Sequence, residues 1–379
     1  MIESTIPLAK ILTTQVITHT SHVKIVRAPA GIDLSKLGIT HDIYKEVKMD
    51  QISAGDGLGR ITELINGPPL YRTWVKIVAY GFASAFVGPF AFGTRFIDMP
   101  ICFCLGVMIG ILQTFVASRF ISFSKIFEVI APMLTAFLAR AFGSIQPQGL
   151  FCYSGIAQSA IVFVLPGYIL VCGALELQAK NLVAGSVRMF QAIMYSPFGT
   201  TLGSALYALV DKNATNQPTC NGSVSDYHRL WIVPIFSLCL VVVFQAHYRQ
   251  APAMIIIASI GYLVNYSASS SFVIATIGNL YSRIGHGLAF TAVLPAVLVL
   301  VPSGLAAQGG LLSGLHEAQS IVKNSTTLTV SDSIFSISDT NMLYFVFQMI
   351  KVSIGITVGL FLSAVFIYPI PWKRSIWNF

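Results

Sequence analysis

The sequence predicts an all-α polytopic membrane protein of about ten transmembrane helices. They form two five-helix inverted modules behind a small α+β N-terminal cytosolic piece. Three observations carry that prediction. First, 55% of the 379 residues are hydrophobic and only 10% are charged, with a mean hydropathy of +0.74. A soluble chain of this size carries roughly 25% charged residues, and a larger core cannot absorb the deficit because surface must still meet water. Much of this surface therefore faces lipid. Second, apolar runs of spanning length recur from Trp74 onward. Third, matching Pro/Gly interruptions fall in the fourth run of each set of five.

The net charge of +8 does not indicate a nucleic-acid partner. Nine of the 23 Lys and Arg residues precede residue 77, and most others stand singly at the ends of apolar runs. That scatter suits membrane anchoring better than a phosphate-tracking stripe. Five cysteines (Cys102, Cys104, Cys152, Cys172 and Cys239) lie in or beside apolar runs and are expected as buried thiols; only Cys220 sits in a polar loop. No metal site or cofactor is expected, and no signal-peptide core precedes residue 70.

Taken in order, residues 1–71 form the N-terminal cytosolic piece. Ile11–Thr20 and His22–Arg27 alternate as in a hairpin. Ile39, Ile43 and Val47 fall four apart, which is helical spacing, and a second helix should start near Ser53 and end before Gly67. The first transmembrane module occupies 72–210, with spans at about 74–93, 99–117, 123–143, 149–172 and 187–210. An extracytosolic loop, 211–229, precedes the second module, 230–379, with spans at about 230–246, 251–266, 268–284, 287–305 and 342–370. Most reach the 17–25 residues needed to cross roughly 30 Å of hydrocarbon. Ala253–Ile277 could instead be one tilted helix, which would leave nine spans. With a cytosolic N-terminus, the glycosylation sequons at Asn213, Asn221 and Asn324 fall outside, and Lys373-Arg374 falls inside.

A five-span repeat places its second copy upside down. The fourth run of the first module breaks at Leu165-Pro166-Gly167, that of the second at Val301-Pro302-Ser303-Gly304; glycines 173 and 309 each follow their proline by seven residues. Proline removes a backbone donor and glycine adds freedom, so carbonyls and amides come loose at depth. In lipid such groups survive only where protein or water satisfies them, and transporters use them to hold polar cargo. Gln158 and Ser159 sit mid-span on the approach to Pro166, able to bond a solute or a neighbouring helix. Glu128 lies three residues after Lys125, as in an interfacial ion pair. Arg140 and Arg283 end spans three and eight, where snorkelling to headgroups accounts for each. Glu176 and Lys180 read as a solvated pair after span four, and Asn265 and Asn279 flank span eight. Zinc-protease, nucleophile-elbow and P-loop motifs are missing, so no enzyme is expected.

A long ordered set of segments resembles one family. They include Gly31-Ile-Asp-Leu-Ser-Lys-Leu37, Gly88-Pro-Phe-Ala-Phe-Gly93, Phe137-Leu-Ala-Arg-Ala-Phe-Gly-Ser144, Leu165-Pro-Gly-Tyr168 and Val183-Ala-Gly-Ser-Val-Arg188. In the second half they include Gly278-Asn-Leu-Tyr-Ser-Arg283 and Val301-Pro-Ser-Gly-Leu-Ala306. From about residue 20 onward the chain resembles the threonine/serine exporter family, in its fungal branch of pheromone-regulated membrane proteins. The resemblance implies ten helices in two modules and, as in bacterial members, proton-driven export of threonine and serine. Against that family pattern, the fifth and eighth spans are shortened and an N-terminal helix would precede Met1.

The expected function is therefore secondary export of small neutral amino acids, with a lipid bilayer and a small solute as partners. The expected binding site lies between the two breaks: Pro166, Gly167, Gln158 and Ser159 from one side, Pro302, Ser303 and Gly304 from the other. Glu128 is the candidate for proton coupling. Arg140, Glu176, Asn279 and Arg283 are supporting polar residues, and the membrane is plasma or vacuolar. The rival expectation is a non-transporting membrane protein acting in mating or cell-surface organisation.

Overall fold

Short polar side chains start the first two helices. In the computed structural model, Asp33 caps α1 (Leu34–Lys48) by accepting from the Lys36 N–H at 2.9 Å, and Ser53 caps α2 (Ala54–Asn66) by accepting from the Asp56 N–H at 3.1 Å. Ile43 and Val47 are buried with Ile61 between the two helices, whereas Ile39 is exposed. The structure describes residues 33–145, 150–164, 169, 172–173, 176–177, 181–211, 214–215, 220, 224–264, 270–284, 288–300, 315 and 338–367. The expected hairpin at 11–27 lies outside them, and among the described residues every regular element is helical.

Among the described residues, each expected span holds helical structure. α3 (Thr73–Val87) runs on into a π turn, Gly88–Phe92, which contains Pro89 and closes at Gly93. Gly93 has φ +67°, left-handed backbone that favours glycine. α4 (Met99–Ile111) is led by a 3₁₀ turn, Phe96–Asp98, and extended by a π turn, Leu112–Val116. Then come α5 (Ile121–Gly143), α6 (Tyr153–Ala160) and α7 (Leu182–Val210). The second half holds α8 (Asp226–Val243), α9 (Ala251–Val264), α10 (Ser270–Arg283), α11 (Ala289–Leu300) and α12 (Ser338–Ile367). The stretch 253–277 is thus two helices rather than one, and the fifth expected span is a helix of 29 residues.

Thr73–Phe92, Phe96–Arg119 and Ile126–Gly143 are each long and apolar enough to cross a membrane. Five shorter apolar helices accompany them among the described residues: Phe198–Val210, Tyr227–Val243, Ala251–Val264, Ala289–Val299 and Ile354–Ile367. Large apolar side chains such as Trp74, Phe190, Trp231 and Phe366 point outward, as lipid-facing positions do.

The two halves pack by a shared scheme. In the first, α3 packs on α4, α4 on α6, α5 on α6, and α5 on α7; in the second, α8 packs on α9, α9 on α11, α10 on α11, and α10 on α12. α3 and α8, the leading helices, join the halves through a core of Tyr80, Ala83, Val87, Phe236 and Leu240. On α7, Gly199 and Gly203 let two backbones meet: a methyl placed on Gly199 would lie 2.5 Å from the Val129 carbonyl oxygen, and one on Gly203 would meet the Met133 carbonyl.

At one end of α3 and α8 sits the N-terminal pair. The Leu34 and Ser35 N–H groups donate to the Phe244 and Gln245 carbonyls at 2.9 and 3.2 Å, so orphan donors at a helix start meet orphan acceptors at a helix end. Gln245, at φ +55°, turns its Oε1 to accept from the Tyr71 N–H at 2.8 Å. The other end carries the loops around Arg95–Asp98 and His228, whose nearest rings are Phe96 and His228, 5.8 Å apart.

Candidate functional site

Polar side chains are buried where α3, α4 and α6 meet. α6 stays helical only to Ala160; a turn at 161–164 follows, so the fourth expected span loses its regular helix before the proline break. All eight residues of α6 are buried. Gln158, 1% exposed, donates from Nε2 to Ser154 Oγ at 3.1 Å, and Ser159, 0% exposed, donates to the Gly155 carbonyl at 2.6 Å. The Cys102 thiol of α4 also reaches the Ser159 hydroxyl. Glycines at 88, 106 and 155 let these groups approach: a methyl on Gly88 would lie 2.8 Å from Ser159 Oγ and against Thr94 Oγ1, and one on Gly106 would lie 2.5 Å from Ser84 Oγ. Ser84 Oγ and Thr94 Oγ1 are fully buried and have no hydrogen-bond partner among the described residues.

A second network joins α5, α6 and α7. Arg140 is only 2% exposed, and its Nη1 donates to the Ser204 carbonyl at 2.6 Å. Tyr153 OH and Ser204 Oγ share a hydrogen bond of 2.5 Å, and Ser204 Oγ also donates to the Thr200 carbonyl at 2.8 Å. The expectation that Arg140 snorkels is therefore corrected. The guanidinium points inward because helix α7 supplies an acceptor there. Its counterpart Arg283 is exposed, donating to the Ile367 carbonyl at 3.3 Å.

Other expected residues take new partners. Glu128 accepts from Gln191 Nε2 of α7 at 2.9 Å; the side chain of Lys125 lies outside the described residues. Glu176 pairs with Arg188 of α7 at 3.1 Å and is half-buried; Lys180, its expected partner, lies outside the described residues. Asn279, 4% exposed, donates to Ser363 Oγ at 3.1 Å, and Thr276 Oγ1 donates to the same hydroxyl at 3.2 Å. Arg140 and Asn279 thus each link the third and fifth helices of their half. Pro166, Gly167, Pro302, Ser303, Gly304, Asn213, Asn221 and Asn324 lie outside the described residues.

One covalent link overturns a sequence expectation. Cys152 and Cys220 are not separate thiols but a disulfide, with Cα atoms 5.6 Å apart and a sequence separation of 68. Around it the loops are tied together. The Cys152 N–H donates to Asp98 Oδ1 at 3.1 Å, Arg95 Nη2 to the Leu150 carbonyl at 2.5 Å, and the Thr215 N–H to Ser144 Oγ at 3.2 Å. Asp98 is 0% exposed and also accepts from the Arg95 N–H at 3.0 Å. A lone cysteine in a polar loop was the available signal, but its partner sat beside an apolar run like four others. Ser84 and Thr94 carried no signal, since isolated hydroxyls are common in such helices.

The family model described as "Putative threonine/serine exporter" matches residues 5–209. The chain is 47% identical to an uncharacterized protein of Schizosaccharomyces pombe over 377 residues, covering 94% of this chain and 49% of that protein. It is 43% identical to pheromone-regulated membrane protein 10 of Debaryomyces hansenii over 377 residues, covering 94% of this chain and 37% of the relative. Against the protein of the same name from Candida albicans the figures are 43%, 94% and 34%. The chain thus spans half the length or less of these relatives. No solved structure matches it.

Proposed function

The chain belongs to the threonine/serine exporter family, and from that premise we propose that it is a secondary exporter of small neutral amino acids such as threonine and serine. The single observation that carries the proposal is the interrupted helix α6, with Gln158 and Ser159 fully buried on it. Polar side chains and broken backbone at membrane depth are costly unless protein or water satisfies them, and transporters use such groups to hold polar cargo. Ten crossings in two modules, 72–210 and 230–379, are supported by the pairing scheme that recurs in the two halves. Residues 1–71 form the cytosolic piece in this reading, and 211–229 an outer loop with sequons at Asn213 and Asn221.

Cargo would lie between the breaks at Pro166-Gly167 and Pro302-Ser303-Gly304, with Gln158 and Ser159 supplying side-chain hydrogen bonds. Glu128 would carry the coupling proton; its contact with Gln191 ties its charge state to the packing of α5 on α7. The membrane is plasma or vacuolar. The test is efflux of labelled threonine and serine from vesicles holding the full chain. Pro166→Ala together with Pro302→Ala should abolish efflux; undiminished efflux in that variant refutes the site. A second reading, a non-transporting membrane protein of mating or the cell surface, draws on the name borne by several relatives. It predicts no efflux from the wild-type chain.

A further inference from the structure

Resting on the transport reading, we propose that the Cys152–Cys220 disulfide holds an outer gate shut over a hydroxyl-lined stretch of the solute path formed by Ser84, Thr94 and Ser159. Sidedness comes first. α3 with its π turn spans 20 residues, Thr73–Phe92, which at 1.5 Å per residue is about 30 Å, the thickness of a bilayer's hydrocarbon. Its start lies beside Tyr71 and the Gln245 turn, and its end leads into Arg95–Asp98 and the disulfide loops. α8 runs the opposite way between the same two ends, from His228 against Phe96 to Phe244 against Leu34. Disulfides persist in oxidising compartments, so the Cys152–Cys220 end faces outside or a lumen, and α1 and α2 face the cytosol.

The disulfide also sits directly over the buried hydroxyls. A methyl on Gly155 would lie 3.0 Å from Cys220 Sγ and against Thr94; one on Gly88 would meet Thr94 Oγ1 and Ser159 Oγ. From the surface inward the order is therefore Cys220, Gly155, Thr94, Gly88 and Ser159, with Ser84 one turn further along α3. Two fully buried hydroxyls in this column, on Ser84 and Thr94, have no hydrogen-bond partner among the described residues. A buried hydroxyl left without a partner is costly to keep. Each can donate and accept, which suits both the ammonium and the carboxylate of a zwitterion. The contacts at Gly88 and Gly155 leave no space beside Thr94, so this arrangement is closed. Opening needs the start of α6 to leave the π turn. Cys152, which immediately precedes α6, is bonded to Cys220, whose sulfur lies against Gly155 in the first turn of that helix. When the bond forms, two thiols give up two protons and two electrons to a disulfide-exchange oxidant of that compartment; a dithiol reductant reverses it.

The experiment labels Thr94→Cys with a membrane-impermeant maleimide in sealed, right-side-out vesicles containing the full chain. With the disulfide intact the thiol should stay unreactive. With Cys152→Ser plus Cys220→Ser it should react at least about tenfold faster, since the covalent constraint that holds α6 against Cys220 is gone. L-Threonine should slow that labelling. Ser84→Cys repeats the measurement should Thr94→Cys not fold. Equal labelling with and without the disulfide overturns the gate, as does finding Cys152 and Cys220 as free thiols in native membranes. Faster labelling without threonine protection overturns the solute path while leaving the gate. None of these readouts depends on efflux, so failure of the transport reading shows separately, as wild-type vesicles that export neither amino acid.

Discussion

Replacing Gly199 with alanine drives a methyl group into the backbone of a neighbouring helix. The added carbon would lie 2.5 Å from the Val129 carbonyl oxygen and 3.1 Å from Cβ of Pro132, where ordinary contact begins at 3.4 Å. The helices must therefore part by about 0.9 Å, the difference between 3.4 and 2.5 Å. Neither obstacle can rotate away, because one is main chain and the other a proline ring. Overpacking of this kind costs about 1–3 kcal/mol. Parting α5 from α7 also stretches the 2.6 Å bond from Arg140 to the Ser204 carbonyl, one helical turn along. A hydrogen bond to a charged group contributes about 1.5–3 kcal/mol more. At about 2–4 °C per kcal/mol, the midpoint should fall by at least about 2 °C, and by at least about 5 °C if that bond is lost. The assay is thermal unfolding of the full chain in detergent at one fixed scan rate, since membrane-protein melts are often irreversible. Gly355→Ala is the control, because nothing lies within 4 Å of a methyl there. A Gly199→Ala midpoint matching both wild type and control would refute the close-contact account.

Two further outcomes follow from the same contacts. Asp98→Ala strands the Arg95 and Cys152 N–H donors in a fully buried site. It should cost roughly 1–3 kcal/mol, read as a lower melting midpoint; an unchanged midpoint would mean that solvent reaches the loops. His41 on α1 has its pKa pushed below the ordinary 6.5, first by burial and then by Lys45, with Asp42 opposing. The unfolded chain then takes up a proton near 6.5 that the folded chain resists, so the α1–α2 pair is fully stable above that pH and weakens below it. Base-catalysed amide exchange slows as the pH falls from about 7.5 to about 5.5, so exchange in α1 should slow by less than that chemistry requires, an excess of opening read as a lower protection factor. His41→Gln should remove the excess; its persistence would assign the effect to another group.

Much of the fold was legible because lipid imposes a one-dimensional rule. Apolar runs near twenty residues long must become helices, since helix is how a single segment satisfies its own backbone in hydrocarbon. Hence the expected segments from Trp74 onward correspond to α3–α12, and Ser53 capped the helix it was expected to start. The candidate site was legible only in part. Gln158 and Ser159 stood out as polar residues deep in an apolar run, and they are buried. Arg140 was misjudged because its position at the end of a run fits snorkelling and burial equally. What decided between them was the Ser204 carbonyl, 64 residues away.

Sequence alone determined that this chain enters a membrane, where its helices lie, and which side chains are too polar for their surroundings. These follow from local composition, because transferring a segment into hydrocarbon depends on that segment's own atoms. Tertiary structure alone decided which of those polar groups meet: Arg140 with Ser204 and Tyr153, Asn279 with Ser363, Glu176 with Arg188, and Cys152 with Cys220. Those pairings need two helices or loops to arrive within a few ångströms, which depends on the glycines and π turns that set how closely backbones approach. No single stretch of sequence carries that information, since each contact is a property of two distant segments packed together.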